Sequence, residues 1–217
     1  MTLIVAALTK KKGFLFGDKT RTISPENGNP VQIKMGGIRI TTTGNVYLQN
    51  SGTKIHSLHN NSIHIGIAGS EDKAQKFLQS LDADGEIENF SSHINQYWLK
   101  YGDESPDQMI FLSKKGDMVY AESYFKYNEP RFNSYVHYTY EPKDDKLLFV
   151  AIGSGSQPFL GYAHILNDDL ENQYNDALKG GTTLEWGEKL VKKVKSIYID
   201  IHHQIDSVGE EVDVVEI

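Results

Sequence analysis

The chain of 217 residues carries 22 basic and 29 acidic side chains, which gives a net charge of −7. This length can bury a sizeable core, and we expect one domain over residues 1–217. The negative charge weighs against nucleic acid or an anionic membrane as a partner. The chain contains no cysteine, which excludes a disulfide framework and a thiolate zinc site. The apolar runs are too short to span a bilayer, and no signal-peptide cleavage site follows the N-terminus, so we expect a cytoplasmic protein.

The first third of the chain is predicted to form strands. Five segments have the composition of strands: Leu3–Ala7, Phe14–Asp18, Ile38–Thr42, Val46–Leu48 and Ile63–Ala68. The first two flank a turn centred on Lys10-Lys11. The third and fourth are joined by Thr43-Gly44-Asn45, which predicts that they pair as a hairpin.

Helices and strands alternate in groups along the rest of the chain. A helix is predicted from Ser70 as N-cap with acidic residues in its first turn, and a second lies between Gly85 and Gly102. A third carries Pro158 in its first turn, and a fourth covers Trp186–Ile205. Further strands are predicted in four places: Met109–Ser113, Met118–Ser123, Leu147–Ile152 and Val212–Ile217.

The order of elements is therefore strands, two helices, strands, two helices and a strand. Helices in pairs between groups of antiparallel strands favour two sheets packed face to face, with a helix pair outside each. The sequence thus predicts an α+β fold, a four-layer α-β-β-α sandwich.

Thr2 has the chemistry of a nucleophile if Met1 is removed. A hydroxyl on the first residue can attack, and the α-amine of the same residue, with a pKa of about 7.7–8.0, can take the proton. Antiparallel pairing of the first two strands brings Thr2 within a residue or two of Asp18. On this hairpin alone, the pattern favours Asp18 as the end of a strand without a catalytic role.

Two more residues extend this candidate site. Lys54, on a strand beside the first hairpin, can favour deprotonation of the Thr2 hydroxyl. Gly69 stands at a transition from strand to helix, where a glycine can direct its backbone N–H toward a ligand, as in an oxyanion hole.

With these residues in place, the chain resembles proteasome β-type subunits and HslV, the N-terminal threonine hydrolases. The resemblance covers nearly the whole chain and implies the N-terminal nucleophile hydrolase fold. Five segments carry it, in order: Thr2-Leu3-Ile4-Val5, Gly17-Asp18, Lys54-Ile55-His56 before Gly66-Ile67-Ala68-Gly69-Ser70, Ala151-Ile152-Gly153-Ser154-Gly155-Ser156, and Val212-Asp213-Val214-Val215.

The resemblance implies a role for each matching residue. Thr2 is the nucleophile and, through its amine, the general base. Asp18 and Lys54 orient and polarise its hydroxyl. The Gly69 N–H stabilises the oxyanion, and Ser154 supports the amine.

Two departures from the family pattern affect the assignment. Lys34 lies 16 residues after Asp18, which is the family's own spacing. Lys54 is nevertheless preferred because it alone has the family's surroundings, which implies an inserted hairpin near residues 25–52. Asp206 is a further candidate, although Asp206-Ser207-Val208-Gly209 is one residue shorter than the family's Asp-x-x-Ser-Gly and lacks its second serine.

The predicted function is that of a threonine peptidase subunit that cleaves polypeptides within a ring of identical subunits. An ATP-dependent unfoldase is a partner that the resemblance allows. With no propeptide before Thr2, removal of Met1 would rest on methionine aminopeptidase, as for HslV. Two alternatives stay open: a non-catalytic scaffold of the same fold that retains Met1, and an amide hydrolase acting on a small metabolite.

No cofactor and no metal are expected. Gly153-Ser154-Gly155-Ser156 lacks the lysine of a phosphate-binding loop. His202 and His203, adjacent on a helix, point about 100° apart. His56, His59 and His64 lie near one another in sequence, but alternate positions along a strand more often place one histidine in solvent.

Overall fold

A computed structural model of the protein describes residues 2–23, 25, 29–35, 38–48, 51–58, 62–83, 90–129, 132–143 and 146–217. The strands in this part of the chain are β1 (Leu3–Leu8), β2 (Gly13–Asp18), β3 (Arg21–Ile23), β4 (Val31–Met35), β5 (Ile38–Thr42), β6 (Val46–Leu48), β7 (Ile55–Leu58), β8 (Ile63–Ala68), β9 (Gln108–Lys115), β10 (Met118–Glu129), β11 (Phe132–Tyr140), β12 (Leu148–Gly153) and β13 (Val212–Glu216). The helices are α1 (Glu71–Ala83), α2 (Phe90–Tyr101), α3 (Ser156–Gly180) and α4 (Thr183–His202).

Two antiparallel sheets form the centre of the molecule. One has the strand order β12-β1-β2-β13 and the other the order β11-β10-β9-β8-β7. In the first sheet Ile4 pairs with Gly17, so Asp18 lies opposite Leu3. Asp18 is thus offset by one position along β1 from Thr2. The predicted turn at Lys10-Lys11 is confirmed.

Three apolar layers separate four layers of secondary structure. Leu3, Val5 and Ala7 of β1 pack against α3 and α4, whereas Ile4 and Ala6 pack between the two sheets. A third cluster joins the outer face of the second sheet to α1 and α2. Because both faces of β1 are buried, its sequence is a continuous apolar run rather than an alternating one. The predicted α-β-β-α sandwich is confirmed.

The helix predictions are close to the observed bounds. Acidic residues occupy the first turn of α1, and Pro158 lies in the first turn of α3. Helix α4 ends before the predicted Ile205, since the backbone N–H groups of Gln204 and Ile205 both bond to the Ile201 carbonyl in a closing turn.

The predicted pairing of Ile38–Thr42 with Val46–Leu48 is wrong. Both segments are strands with the expected bounds, but β5 pairs with β4 and β6 pairs with β3. Only two residues of sequence separate β4 from β5, and two-residue connections strongly favour hairpins. These two small ladders lie outside the two main sheets. That they represent an insertion near residues 25–52 stays a prediction.

Some expectations fall on residues outside the described part of the chain. Met1 and His59 belong to this group. None of the helices in the described ranges combines the length and apolar character needed to cross a membrane.

Candidate active site

A cleft of about 440 Å³ opens beside the N-terminal end of β1. Residues 20–23 line one part of it, and residues 69–72 with 74 and 75, at the start of α1, line another. Thr2, which is only 3% exposed, also lines this cleft, together with Lys54. The cleft therefore brings together three of the residues predicted from the sequence: Thr2, Lys54 and Gly69.

A second groove, of about 580 Å³, runs between α4 and the first sheet. It includes Phe14, Leu184 and Val191, and none of the six predicted site residues lines it. Of the two cavities, the cleft at Thr2 is therefore the one that contains residues of the predicted site.

Asp18 is fully buried at the end of β2. Its Oδ1 accepts a hydrogen bond of 2.7 Å from the backbone N–H of Leu3. Its Oδ2 accepts from the backbone N–H groups of Thr20 and Gly209, at 3.2 and 3.1 Å, and from the Lys54 ammonium at 3.0 Å. A buried carboxylate is costly unless it is paired in this way, so these donors fix its position beside the start of β1.

Lys54 precedes β7 and has 15% of its side chain exposed. Burial lowers the pKa of its ammonium, and the negative charge of Asp18 acts in the opposite direction. A lysine whose pKa is lowered by burial is suited to proton transfer at a neighbouring hydroxyl. The structure brings Lys54 to Asp18, while its contact with the Thr2 hydroxyl stays a prediction. Lys34 lies on β4, and its side chain is outside the described part of the structure.

Ser154 contacts the backbone of Thr2 from the loop after β12. Its Oγ accepts a hydrogen bond of 3.2 Å from the Thr2 N–H and donates one of 3.4 Å to the Thr2 carbonyl oxygen. The serine predicted to support the amine thus lies against that nitrogen.

Gly69 connects β8 to α1 with a φ of +126°. L-residues that carry a side chain rarely adopt this backbone conformation. A Cβ at this position would also lie 2.8 Å from Oδ2 of Asp107. The local backbone therefore requires glycine at the site predicted for the oxyanion donor.

The segment from Asp206 to Gly209 reaches the site through its last residue. Asp206 is exposed, whereas Gly209 is buried and donates its N–H to Asp18. The contact of Gly209 cannot be predicted from the sequence, because a backbone donor leaves no side-chain pattern. A catalytic role for Asp206 stays a prediction.

Tyr198 is a second residue that the sequence did not reveal as part of the site. It is fully buried on α4, and its hydroxyl lies 3.3 Å from the Leu3 carbonyl oxygen and 3.2 Å from that of Phe16. Burial raises the pKa of this phenol well above its ordinary value, so Tyr198 is a neutral donor. It links α4 to β1 and β2 beside Thr2. Its only sequence signal was its place beside the apolar face of α4.

Charged and titratable side chains also line the cleft away from Thr2. Arg21 on β3 and Glu71 at the start of α1 form an ion pair, with 2.8 Å between Nε and Oε2. His56 is half-buried in the cleft wall, and burial lowers the pKa of its imidazole. Arg21 and Lys54 thus each have a carboxylate partner, and His56 is neutral at pH 7.

His202 and His64 each place one ring nitrogen within hydrogen-bond distance of a neighbouring oxygen. Nδ1 of His202 lies 2.7 Å from the Val208 carbonyl oxygen, and Nδ1 of His64 lies 2.9 Å from the Ser57 hydroxyl. Within the described ranges, no group of three His, Asp or Glu side chains is placed to hold a metal ion.

Comparisons with known proteins identify the fold. No protein-family model and no curated protein sequence matches the chain. Among solved structures, eukaryotic HslV from Trypanosoma brucei is similar with a TM-score of 0.55 and 17% identity, over 99% of this chain and 98% of that one. The BPH protein of Thiobacillus denitrificans, solved in complex with epoxomicin, is similar with a TM-score of 0.51 and 13% identity, over 100% and 98% of the two chains.

The protein therefore has an N-terminal nucleophile hydrolase fold of the proteasome type. Its likeness to HslV extends over nearly the full length of both chains, so the shared architecture includes both sheets and both helix layers.

Proposed function

We propose that this protein is an N-terminal threonine hydrolase that cleaves peptide bonds, with Thr2 as nucleophile once Met1 has been removed. The observation that carries the proposal is the buried Asp18 carboxylate, which bonds both the Lys54 ammonium and the Leu3 N–H within a cleft lined by Thr2. A structural strand end does not need a buried ion pair at this position.

The proposed reaction begins with attack of Thr2 Oγ on the carbonyl carbon of the substrate. The hydroxyl proton passes to the free α-amine of Thr2, and Lys54, held by Asp18, stabilises the developing negative charge on Oγ. The tetrahedral oxyanion accepts a hydrogen bond from the Gly69 N–H. Collapse breaks the C–N bond, and the leaving amine takes the proton from the Thr2 ammonium.

The second half of the reaction releases the acyl group. A water molecule gives its proton to the Thr2 amine and attacks the ester carbonyl. The intermediate collapses to the carboxylic acid, and Thr2 Oγ recovers a proton. Ser154, which contacts the Thr2 nitrogen at 3.2 Å, would orient the amine in both halves.

The assembly belongs to the same proposal. The likeness to HslV supports a ring of identical subunits that encloses the sites, in which polypeptide substrates are cleaved. An ATP-dependent unfoldase would then deliver the substrates. The likeness to a protein solved with epoxomicin makes epoxomicin a suitable ligand with which to probe this cleft.

The experiment uses protein purified from its own host. Intact-mass spectrometry is expected to show the loss of one methionine, and a threonine-directed electrophile is expected to label the peptide that begins at Thr2. Thr2→Ala should abolish labelling and peptide hydrolysis with the fold intact, while Thr41→Ala, at an exposed position on β5, is the matched control. Epoxomicin binding to the wild type and to Thr2→Ala provides a separate measure of the cleft.

Complete retention of Met1 in native protein would contradict the peptidase proposal, because the amine would be locked in a peptide bond. The non-catalytic scaffold would then replace it. Hydrolysis of small amides without hydrolysis of peptides would instead support the small-metabolite alternative.

A further inference from the structure

One side chain bridges the two sheets at the candidate site. Gln108 begins β9 in the five-stranded sheet, and its Oε1 accepts a hydrogen bond of 2.7 Å from the backbone N–H of Gly153. Gly153 ends β12 in the four-stranded sheet. The bond therefore crosses the interface between the sheets and ends immediately before Ser154.

Gly153 cannot move independently of Thr2. It pairs with Leu3 across the first sheet and has a φ of +91°. A Cβ at this position would collide with the Thr2 carbonyl oxygen. The position of the Gly153 N–H is therefore linked to the positions of Ser154 and Thr2, which bond each other.

The same short segment also contacts the other side of the site. Gln108 pairs with Ala68 in the ladder between β8 and β9, and Ala68 is followed by Gly69. Asp107, the residue before Gln108, has its Oδ2 2.8 Å from the point where a Gly69 Cβ would stand. Residues 107 and 108 thus lie against both the Gly69 turn and the Ser154 loop.

We propose that Gln108 is a positioning residue that sets the distance between the Ser154–Thr2 pair on one sheet and the Gly69 turn on the other. This inference rests on the proposed hydrolase function. Gln108 acts through the Gly153 backbone and does not touch the reacting atoms. The amine and the oxyanion donor come from different sheets, so their relative position depends on contacts such as this one.

The test compares two substitutions of nearly equal size. Gln108→Met keeps the length of the side chain but replaces the acceptor oxygen with a thioether sulfur, which is only a weak acceptor, and Gln108→Glu restores an acceptor oxygen at the same place. We expect Gln108→Met to lower kcat by about ten- to a hundredfold with little change in KM, as for a small displacement of aligned groups. Gln108→Glu should recover most of this loss. Gln204→Met, which removes an exposed glutamine amide from the turn that follows α4, is the matched control and should behave like the wild type.

Hydrogen–deuterium exchange supplies a readout that does not need turnover. In Gln108→Met the amides of residues 148–155 should exchange faster, while those of β2 stay protected. Wild-type kcat in Gln108→Met, or equal losses in Gln108→Met and Gln108→Glu, would overturn the inference. If Gln108→Met fails to fold, Gln108→Asn replaces it, because its shorter side chain falls short of Gly153.

An inert wild-type protein would contradict the proposed function but not the bridge itself. In that case, faster exchange at residues 148–155 in Gln108→Met alone still supports Gln108 as the residue that holds this loop. Unchanged exchange there overturns that role as well.

Discussion

Oδ1 of Asp18 accepts a hydrogen bond of 2.7 Å from the backbone N–H of Leu3. This contact connects the buried carboxylate to the residue that directly follows Thr2, while Oδ2 of the same group bonds Lys54. The backbone of β1 and the lysine are therefore positioned by one side chain. Any change in the charge or shape of that side chain should be felt both in stability and at Thr2.

Asp18→Asn should lower both activity and stability. Its amide keeps only one acceptor oxygen for the four donors that now meet the carboxylate, so at least one buried donor is left unpaired, at a cost of about 1–3 kcal/mol. Loss of the negative charge also removes the interaction that raises the pKa of Lys54, so this pKa should fall further. Urea unfolding and the pH dependence of kcat measure the two effects. Asp213→Asn is the control, since the ion pair of Asp213 with Lys19 lies on the surface. If Asp213→Asn lost as much activity and stability as Asp18→Asn, a special role for Asp18 would be contradicted.

Lys54→Met should reduce hydrolysis by about 10²–10⁴-fold, because the Thr2 hydroxyl loses its positive neighbour. It should also lower the free energy of unfolding by up to about 3 kcal/mol, which is the low end for breaking a buried ion pair. The cost is expected at this low end because three backbone N–H groups still bond Asp18. Lys34→Met is the matched control and should be nearly silent in activity. A larger loss of activity in Lys34→Met than in Lys54→Met would show that the insertion has been placed wrongly.

Gly69→Ala should impair both folding and activity. The required φ of +126° and the approach of the new Cβ to Asp107 both oppose it, with a strain of about 1–3 kcal/mol. The double variant Gly69→Ala/Asp107→Ala separates the two causes, because it relieves the contact but leaves the backbone strain. Gly161→Ala on α3 is the control: nothing lies within 4 Å of its Cβ position, so it should stabilise by roughly 0.5–1 kcal/mol. In thermal unfolding, the melting temperature should be highest for Gly161→Ala, lower for the double variant and lowest for Gly69→Ala. A wild-type melting temperature for Gly69→Ala would contradict the steric argument.

The sequence is most informative where the same residues both favour a strand locally and are buried in the core. The apolar runs of β1 and β2 predicted strands, and their register placed Asp18 beside the start of β1. Pairing between distant or short segments was harder to predict. The sequence favours pairing of β5 with β6, because a plausible turn separates them. In the structure each pairs with an earlier strand instead, β5 with β4 and β6 with β3.

Backbone donors and long-range side-chain contacts left no pattern in the sequence. Gly209 contacts Asp18 through its N–H, and Gln108 reaches Gly153 across the sheet interface. Neither residue type is diagnostic of such a role, and each contact depends on how the two sheets and the C-terminal segment pack. Spacing alone favours Lys34, and Lys54 is preferred to it because its flanking residues resemble those of a known family.

Histidine burial predicts that acid destabilises the protein. Burial lowers the pKa values of His56 and His64 below the ordinary value of about 6.5, so the unfolded chain binds protons that the folded protein does not. The stability linked to these groups is therefore fully present above about pH 6.5 and is lost as the pH falls through the folded-state pKa values. Each pKa unit by which folding lowers a histidine's pKa corresponds to about 1.4 kcal/mol of this stability. We expect a lower free energy of unfolding at about pH 5.5 than at about pH 7.5, and a smaller difference in the double variant His56→Gln/His64→Gln. Urea unfolding at the two pH values measures it, with exposed His203→Gln as the control that should keep the wild-type difference. An unchanged difference in the double variant would assign the acid sensitivity to other groups.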